Sequence, residues 1–579
     1  MNVLVLGGGI SGISAAKVLL KAGHEVTIVE KEERLGGLMD QIANCRVGFK
    51  TFLEEIREHP NLRVVKQEKI VEVDRLYKKF LVSLQDGDLI EAQGVIVAAG
   101  LSPYEAKERS GRRIITSLEY DHLIDQRNAS LPEDLKKVAF ILCVGSRCKE
   151  YPLCSTVCCS YTLREIKWTY QRGVTPDISV FYNDLRFFGQ EFYMERVYRE
   201  MGVSFIRANS RYLEEDDEGV TVRHYQGEKL HEQRFNYVVL AIGLRPHPTL
   251  ADLSQLFGFS LNEFGFVHEA EALKTDVKGI YAAGGALEPM SIKDAILTGY
   301  GAAVQCLKEI DQGRHLPPIS LYREAEPEIK PEARGESCLF YLGTEDTLMK
   351  MFYEFFSERF IRSALEFKKK GKDVYVLTRN VVAPSYSEVI YEEARREGVV
   401  FIHLEEEEHV HLEKNRALVT GPKGELLFSA DTIVSMDQYA DLMRDREFLI
   451  QYRSEPQLRW SPTKWDRQRY HAGFIRFPRS LRWEAREALG ALGEFLIEKE
   501  EERIFPEISE ERCSGCGSCS DACPAGAIDM ENKEKPVSIF GPLAATTVPV
   551  AAVNKELCVG CGLCASTCPS DVIGFKEAS

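Results

Sequence analysis

The sequence predicts an α/β protein of several domains that ends in a small cysteine-rich α+β module. Three features predict it: a glycine turn between a strand and a helix at the N-terminus, a strand and helix pattern that recurs in the middle of the chain, and two runs of four cysteines near the C-terminus. At 579 residues the chain exceeds what one hydrophobic core usually accommodates, so several domains are expected.

The net charge and the cysteine content exclude some classes of function and favour others. The 89 acidic and 73 basic residues give a formal charge of −16, which disfavours a nucleic-acid partner. No apolar run reaches the roughly 18 residues that span a bilayer, and the chain begins with a strand rather than a leader. We therefore expect a cytoplasmic protein without a direct membrane span, with membrane association through partner subunits as one option. Thirteen of the 16 cysteines form two dense groups, which favours metal binding over disulfides. Cys45, Cys306 and Cys338 stand alone and are expected to be small buried hydrophobes.

The N-terminal glycine turn predicts a dinucleotide site. A strand over 3–6, the motif Gly7-x-Gly9-x-x-Gly12, a helix to Ala22 and a strand over 26–29 form one βαβ unit. The glycines allow close backbone approach to a pyrophosphate at the positive end of the helix, and Glu30 can accept hydrogen bonds from a ribose. The alternative is a turn of this type that binds nothing.

Further small-residue turns extend this prediction. They are Gly36-Gly37, Ala99-Gly100 after a strand at 95–98, and Gly284-Gly285 after a strand at 279–283. With the first motif they resemble the two-dinucleotide-domain flavoproteins of the thioredoxin reductase type over roughly residues 1–310. The resemblance implies FAD at the first motif, an FAD-binding domain over 1–135 and 245–315, and an inserted domain over 136–244.

The insert has cysteines where those flavoproteins have a second glycine motif for a nicotinamide cofactor. The turn is Cys143-Val144-Gly145-Ser146-Arg147-Cys148, followed by Tyr151-x-x-Cys154-x-x-x-Cys158-Cys159. Four thiolates suffice for a cubane cluster, but the spacing matches neither ferredoxin nor zinc templates, so the residues alone leave zinc and structural thiols open. The string resembles the cluster motif of the A subunits of heterodisulfide reductases, which implies a [4Fe-4S] cluster near the flavin on Cys143, Cys154, Cys158 and Cys159. Cys148 has no clear counterpart.

Beyond a proline- and glutamate-rich stretch at 316–336, predicted to be a linker, the chain repeats itself. Residues 373–402 echo 177–206 at a constant offset of 196. On that offset Cys158 and Cys159 correspond to Glu354 and Phe355, which cannot replace thiolates at a cluster. Residues 337–500 are therefore predicted to be a degenerate α/β repeat without a cofactor. Chance similarity between two α/β stretches is the alternative.

The C-terminal cysteines predict a two-cluster bacterial ferredoxin module over 501–579. The two runs are Cys513-x-x-Cys516-x-x-Cys519-x-x-x-Cys523-Pro and Cys558-x-x-Cys561-x-x-Cys564-x-x-x-Cys568-Pro. In such modules the fourth cysteine of each run binds the other cluster. One [4Fe-4S] cluster is thus expected on Cys513, Cys516, Cys519 and Cys568, and the other on Cys558, Cys561, Cys564 and Cys523. Zinc is the alternative.

The C-terminal motif predicts two [4Fe-4S] clusters, and the two resemblances imply one FAD and a third cluster, so we expect an electron-transfer oxidoreductase. Flavin exchanges electrons in pairs or singly, and each cluster passes one at a time. No nucleophile, triad or hydrolytic metal motif is present, so no catalytic residue is assigned. The resemblance implies one component of a heterodisulfide reductase-like complex whose partners are the other subunits and a ferredoxin, hydrogenase or dehydrogenase module, with a homodimeric core as one option.

Electron bifurcation at the FAD is a further option that the same family offers. Around the helix that follows Gly284-Gly285 the sequence is Glu288-Pro-Met-Ser-Ile-Lys-Asp294, whereas bifurcating members of the family more often have Pro-Lys-Asp. It favours the related quinone-interacting oxidoreductase subunits, which do not split electrons. Two other classes remain: an NAD(P)H oxidoreductase similar to the small subunit of glutamate synthase, disfavoured by the missing nicotinamide motif, and a binding scaffold with vestigial cofactors.

Overall fold

The computed structural model describes residues 1–43, 52–54, 56–108, 111–125, 131–187, 191–208, 211–226, 229–310, 321–323, 331–332, 334–344, 347–350, 352–405, 408–422, 424–440, 470–472, 481–497, 505–521, 527–537, 544–554, 564–565, 568, 570 and 572–576.

The N-terminal unit is built around a parallel sheet. Its elements are β1 (Asn2–Leu6), α1 (Ile10–Lys21), β2 (Glu25–Glu30), α2 (Leu38–Gln41), β3 (Leu62–Lys66), β4 (Ile70–Leu76), β5 (Lys79–Leu84), β6 (Leu89–Ala92), β7 (Gly94–Val97) and β8 (Leu101–Pro103). β1 pairs in parallel with β2 and β7, and β3 extends the sheet beyond β2. Because β1 is covered on both faces, its residues are apolar without alternation. β4, β5 and β6 form a separate antiparallel sheet.

The inserted unit has its own parallel sheet. Its elements are β9 (Ile114–Thr116), α3 (Ser117–Leu123), β10 (Lys137–Val144), α4 (Cys158–Gln171), β11 (Asp177–Tyr182), α5 (Glu191–Glu200), β12 (Ser204–Arg207), β13 (Arg211–Asp216), β14 (Gly219–Gln226), β15 (Lys229–Phe235), β16 (Tyr237–Ile242) and β17 (Leu244–Pro246). The sheet order is β12-β11-β10-β16-β9, and β13, β14 and β15 form an antiparallel sheet. β9 joins this sheet although residues up to 135 were expected in the FAD-binding domain. Three residues are too few for a strand pattern to appear in the sequence.

The chain then returns to the first sheet. This return comprises α6 (Thr249–Phe257), β18 (Ile280–Ala282), a 3-10 turn (Gly284–Ala286) and α7 (Ile292–Ile310). β18 pairs with β7 and completes the order β18-β7-β1-β2-β3, so the first domain is discontinuous. α7 packs against α1, where a Cβ on Gly299 would lie 2.4 Å from the carbonyl oxygen of Ser11.

A second α/β unit follows. Its elements are β19 (Leu321–Arg323), β20 (Ser337–Leu342), α8 (Thr347–Lys350), α9 (Tyr353–Lys369), β21 (Asp373–Thr378), α10 (Ser387–Arg396), β22 (Val400–His403), β23 (His409–Glu413), β24 (Arg416–Gly421), β25 (Gly424–Ser429), β26 (Thr432–Ser435), a 3-10 turn (Met436–Tyr439), β27 (Tyr470–Ala472) and α11 (Leu481–Ile497). The sheet order β22-β21-β20-β26 repeats that of β12-β11-β10-β16, and β23, β24 and β25 repeat the antiparallel sheet.

The strand register follows the offset seen in the sequence. Ser179 pairs with Ser204 in the insert, and Tyr375 pairs with Val400 in the second unit, so both partners are displaced by 196 residues. Agreement in strand order and in register is too specific for two unrelated α/β stretches. The repeat is therefore structural, and α9 begins one residue before the counterpart of Cys158, which opens α4 in the insert.

Two elements depart from the expected boundaries of the second unit. β19 lies inside the stretch predicted to be a linker and pairs with β27. α11 packs on α7 and α1 of the first domain rather than on the second sheet. The close approach depends on glycines, because a Cβ on Gly490 would lie 2.5 Å from the side chain of Leu297, and one on Gly493 would lie 2.8 Å from the carbonyl oxygen of Tyr300. An apolar helix stripe indicates burial but not which surface it covers.

The C-terminal module is small and antiparallel in its described part. Its elements are β28 (Phe505–Ile508), α12 (Ser518–Asp521), β29 (Ile528–Val537), β30 (Ala544–Val553) and β31 (Ile573–Lys576). β28 pairs with β31, and β29 pairs with β30. Across the portion of the chain that the structure covers, no helix has the length and apolar character needed to cross a membrane.

Candidate functional site

The first glycine turn forms a tight cradle in front of α1. Gly7 has a φ of 109°, and a Cβ there would lie 2.4 Å from the carbonyl oxygen of Ala98. A Cβ on Gly12 would lie 2.0 Å from the carbonyl oxygen of Gly7. Gly9, the residue that precedes the first turn of α1, has no atom within 4 Å of its Cβ position. The turn is thus packed on the protein side and open in front of the helix N-terminus, which fits a pyrophosphate.

The buried side chain of Glu30 stabilises this glycine turn. Its buried carboxylate accepts hydrogen bonds from the backbone N–H of Gly8 at 2.7 Å and of Glu32 at 3.0 Å. Each carboxylate oxygen keeps a free lone pair that can accept from a ribose hydroxyl. Glu30 therefore fixes the turn in addition to the ribose-binding role that the sequence predicts.

Two of the other predicted small-residue turns border the same helix end. Gly36 donates its N–H to the carbonyl oxygen of Gly8 at 2.9 Å, and the Cβ position of Gly37 lies 3.7 Å from the Cα of Gly9. Ala99 and Gly100 come shortly after β7, and the Cα of Ala99 lies 3.3 Å from the Cβ position of the first glycine of the cradle. Both turns therefore lie against the cradle.

Gly284 and Gly285 close this region from the side of α7. Gly284 has a φ of 61°, and a Cβ there would lie 1.9 Å from the hydroxyl oxygen of Ser11. A Cβ on Gly285 would lie 2.4 Å from the Cγ of Leu101. The structure thus gathers the predicted glycine turns and Glu30 around the start of α1.

The four predicted cysteines of the insert meet between β10 and α4. Cys143 is the last residue but one of β10, and Cys158 and Cys159 open α4. A side-chain hydrogen bond between Cys143 and Cys158, together with burial, raises the pKa of Cys143. Burial raises the pKa of Cys154, and Cys143 adds to that rise. The thiols therefore occupy one buried site, which we call the insert site.

The loop that carries the insert site is strained. Cys143, Arg147 and Thr156 have φ values of 63°, 53° and 65°, a region that residues other than glycine rarely adopt. Such strain persists only where surrounding structure imposes it, and it is concentrated at functional sites. Here the hydroxyl of Thr156 donates to the carbonyl oxygen of Pro289 at 3.1 Å, which holds the loop against the segment that leads into α7.

Two buried guanidinium groups, Arg147 and Arg186, stand beside these thiols. Their charges counter the burial that raises the pKa values of Cys143 and Cys154. Arg147 Nη1 and Arg186 Nε and Nη2 are buried without a hydrogen-bond partner among the described residues. A buried donor without an acceptor is costly. Four thiols beside unsatisfied cationic donors fit an anionic iron–sulfur cluster.

No group of three or more His, Cys, Asp or Glu side chains converges on a single metal position in the described ranges. The thiolates of a cubane each bind a different iron atom, so they surround a cluster rather than one point.

One cavity of the C-terminal module is lined by Cys513, Cys516, Cys519 and Cys568. This is the set predicted for the first cluster, including the cysteine that crosses from the second run. Burial and the neighbouring thiols raise the pKa of Cys519 to about 11. At Cys516 burial acts in the same direction, but hydrogen bonds from Ser518 and Ser514 outweigh it and lower the pKa.

Only some of the remaining cysteines lie within the described residues. Cys523, Cys558 and Cys561 lie outside the described residues, as does Cys45. Cys564 is buried in the C-terminal module. Cys148 lies half-buried with its thiol 3.8 Å from the carbonyl oxygen of Tyr151. Cys306 and Cys338 are fully buried, as expected of isolated cysteines.

Sequence reasoning missed residues that reach these sites from distant segments. Glu388 of α10 bonds to Arg147, and Arg486 of α11 bonds to Glu288. Lys167 of α4 bonds to the C-terminal module at Ala565. No local pattern marks them, because each partner lies 198 or more residues away.

Two family models match the chain. The pyridine nucleotide-disulphide oxidoreductase model matches residues 1–121 and 185–299, and the 4Fe-4S dicluster domain model matches residues 512–572. The first match implies FAD and confirms the predicted two-dinucleotide-domain fold, and the second implies iron–sulfur clusters. The segment between the two parts of the first match contains the insert-site cysteines.

Curated relatives agree with these matches. The second iron–sulfur A subunit of the CoB–CoM heterodisulfide reductase of Methanopyrus kandleri is 26% identical over 427 residues, which cover 54% of this chain and 65% of the relative. The A subunit of the H2:CoB–CoM heterodisulfide, ferredoxin reductase of Methanothermobacter thermautotrophicus is 27% identical over 436 residues, which cover 55% and 65%. The matched part of the chain thus spans less than two thirds of these relatives.

Among solved structures, Lactococcus lactis thioredoxin reductase superposes with a TM-score of 0.41 at 15% identity and covers 54% of this chain and 99% of that one. The chain is an oxidoreductase-type flavoprotein with a 4Fe-4S dicluster domain, and A subunits of CoB–CoM heterodisulfide reductases are among its curated homologues.

Proposed function

We propose that this chain is the FAD and iron–sulfur subunit of a heterodisulfide reductase-like complex and relays electrons between FAD and the clusters of partner subunits. The observation that carries this proposal is the position of the insert site. On one side the hydroxyl of Thr156 donates to the carbonyl oxygen of Pro289, which lies between the Gly284-Gly285 turn and α7. On the other side α4, which starts at Cys158, reaches the ferredoxin module through Lys167. The insert site therefore stands between the two.

The flavin would be held by the glycine turns around α1. Gly7, Gly9 and Gly12 would bind the pyrophosphate and Glu30 the ribose, while Gly284 and Gly285 would allow close approach from the side of α7. When bound, FAD supplies the exchange between paired and single electrons. The chain's part is to orient the cofactor and to exclude water by burying the segments around it.

Three [4Fe-4S] clusters would be bound by twelve cysteines. The insert site would use Cys143, Cys154, Cys158 and Cys159. The ferredoxin module would use the two crossed sets predicted from its spacing. Lys167 lies eight residues beyond Cys159 on α4, which at 1.5 Å per residue separates the insert site from the ferredoxin contact by about 12 Å along the helix.

Iron and flavin content test this arrangement. Anaerobically prepared protein should contain one FAD and about 12 irons, the number that three cubanes require. The C154A variant should lose about four irons and one component of the electron paramagnetic resonance spectrum while it retains FAD. Wild-type iron well below this number, zinc in its place, or no loss in C154A would contradict the proposal.

The relay is proposed to be linear, as in quinone-interacting oxidoreductase subunits. The segment from Glu288 to Asp294, which includes the start of α7, lacks the Pro-Lys-Asp pattern, and Glu288 forms an ion pair with Arg486. If the flavin instead split electron pairs, a low-potential acceptor would be reduced only when a high-potential acceptor was present. Independent reduction of either acceptor supports the linear relay.

A nicotinamide-dependent reductase is the second candidate, and the structure gives it little support. In the insert, α4 begins fourteen residues after β10 ends, so no helix N-terminus follows the strand directly as a dinucleotide site requires. Anaerobic NADH or NADPH should therefore leave the flavin absorbance unchanged. We further propose a cytoplasmic location and partner subunits that supply the donor and acceptor.

A further inference from the structure

The second α/β unit contacts the insert in a reciprocal way. The N–H of Leu185 donates to Asn380 Oδ1 at 3.0 Å, and the N–H of Val381 donates to Asp184 Oδ1 at 3.4 Å. Asn380 and Val381 are the counterparts of Asp184 and Leu185 at the offset of 196 residues. Reciprocal contacts of this kind characterise two-fold interfaces between identical subunits. Here both halves belong to one chain, and the interface adjoins the insert site.

One carboxylate of the second unit enters the insert site. Glu388 on α10 accepts a hydrogen bond from Arg147 Nε at 2.9 Å and forms an ion pair with Arg186. Arg147 also donates from Nη2 to Asp184 at 2.7 Å. The side chain of Glu388 is 0% exposed and that of Arg186 is 1% exposed, so the network is shielded from water and from salt.

The single carboxylate of Glu388 contacts two guanidinium groups, those of Arg147 and Arg186, and both lie beside the thiols of the insert site. In a buried site the effective dielectric constant is low, so a nearby unit charge changes the energy of an added electron far more than it would in water. Glu388 therefore limits how strongly the two arginines stabilise negative charge on the thiolate side.

The residues around the start of α10 also contact the FAD-binding domain. The hydroxyl of Ser385 donates to Glu288, and the hydroxyl of Tyr386 donates to the carbonyl oxygen of Leu287 at 3.2 Å. Residues 385–388, which we call the clamp turn, thus contact both the loop of the insert site and the segment that leads into α7. The degenerate repeat places the clamp turn between the two redox sites.

We infer that the second α/β unit completes the insert site, and that Glu388 is a positioning residue that lowers the reduction potential of the cluster bound there. This inference rests on the proposed function, because it requires a cluster on the four cysteines of the insert. It assigns a role to a unit that has no cofactor of its own. The added electron of a reduced cluster is destabilised by the nearby carboxylate and stabilised by the two arginines.

The E388Q variant tests this role. It removes one negative charge, changes the shape of the side chain little and leaves both arginines in place. In a potentiometric titration followed by electron paramagnetic resonance, the signal that disappears in C154A identifies the insert cluster. In E388Q the equilibrium between the oxidised and the reduced insert cluster should shift about tenfold toward the reduced form. For a one-electron couple this raises the reduction potential by about 59 mV. Iron and FAD contents should equal those of the wild type.

Two variants serve as controls. E388D keeps the charge and should titrate like the wild type. E392Q alters an exposed carboxylate on the same helix, paired with Arg395, and should leave the potential unchanged. A shift in E388Q no larger than in E392Q would overturn the inference.

The outcomes separate this inference from the proposed function. Absence of the insert-cluster signal in the wild type contradicts the proposed function itself, whereas an unshifted signal in E388Q contradicts only the role of Glu388. If E388Q does not fold, D184N tests the same claim, because Asp184 pairs with the same guanidinium of Arg147. Loss of iron in both variants would show that these carboxylates only maintain the fold, which would also overturn the inference.

Discussion

Lys167 Nζ donates a 2.7 Å hydrogen bond to the carbonyl oxygen of Ala565, across 398 residues of sequence. The donor lies on α4, the helix that starts at Cys158, and the acceptor directly follows Cys564. Lys167 also lowers the pKa of Cys568, although burial raises it more strongly. One side chain thus links the insert site to the ferredoxin module.

Replacing Lys167 by methionine should loosen the contact between these two parts. A hydrogen bond from a charged donor contributes about 1.5–3 kcal/mol, so the docked state of the module should weaken by a comparable amount. Iron and FAD contents should not change. The expected readouts are faster hydrogen exchange at the amides of α4 and slower transfer of electrons from the flavin to the C-terminal clusters in stopped-flow absorbance.

Arg164 provides the matched control, since it is an exposed residue on the same helix. R164M should behave like the wild type in both measurements. Equal transfer rates in K167M and the wild type would show that the contact does not support electron transfer.

Gly9 and Gly12 should respond differently to alanine. Gly9 has a φ of −76° and open space at its Cβ position, so G9A should fold with an unchanged melting temperature. Its new methyl group would occupy the space proposed for the pyrophosphate, and FAD affinity should fall at least tenfold, or about 1.4 kcal/mol. Flavin fluorescence during titration of the apoprotein measures this.

G12A provides the contrasting variant. Its Cβ would lie 2.0 Å from the carbonyl oxygen of Gly7, so the turn itself must shift, and overpacking of this kind costs about 1–3 kcal/mol. G12A should therefore lose both stability and FAD. If G9A bound FAD as tightly as the wild type, the pyrophosphate would have to bind at another position.

The cysteine and glycine positions could be predicted because their chemistry is local. Cys513, Cys516 and Cys519 are close in sequence, and their spacing determines how they surround a cluster. The turn at Gly7 to Gly12 is set by the strand and helix on either side of it. The repeat was visible for a similar reason, since strand and helix periods recur at a fixed offset.

Contacts between distant segments could not be predicted in this way. Glu388 belongs to a unit that was expected to be a scaffold, and a glutamate on an amphipathic helix usually faces solvent. Its role depends on the reciprocal interface, which places α10 against the insert. Likewise, the sequence of α11 indicates a buried stripe but not that this stripe packs on α7.

Acidification should weaken the interface at His403. Burial lowers the pKa of His403, and Arg207 acts in the same direction, whereas Asp184 opposes them. Because the folded pKa lies below the ordinary value of 6.5, the unfolded chain binds a proton first as the pH falls. The contribution of neutral His403 to the free energy of unfolding is therefore complete above pH 6.5 and decreases below it.

The H403N variant should remove this pH dependence, since an asparagine can still accept from Arg207, which lies 2.8 Å from His403 Nδ1. Urea unfolding at pH 7.5 and 5.5 should show a smaller loss of stability in H403N than in the wild type, by at most about 1.4 kcal/mol per pH unit. H409N, which alters an exposed histidine, should match the wild type. Identical slopes in H403N and the wild type would contradict the prediction.

Arg486 should be the most sensitive position on α11. It is fully buried and forms two hydrogen bonds with Glu269, at 2.9 and 2.7 Å, and an ion pair with Glu288. R486M would remove the guanidinium that faces both carboxylates, and removal of one partner of a buried pair typically costs about 3–5 kcal/mol. Urea unfolding followed by flavin fluorescence measures the loss, because the helix covers the FAD domain.

The pair of Arg362 with Glu358 on α9 offers a comparison, since its arginine is exposed to water and R362M should cost at most about 1 kcal/mol. Neutralising both carboxylates in R486M/E269Q/E288Q should recover part of the stability, because the penalty comes from their negative charge rather than from lost packing. If the triple variant is no more stable than R486M, packing of the arginine side chain rather than its charge holds α11 on the domain.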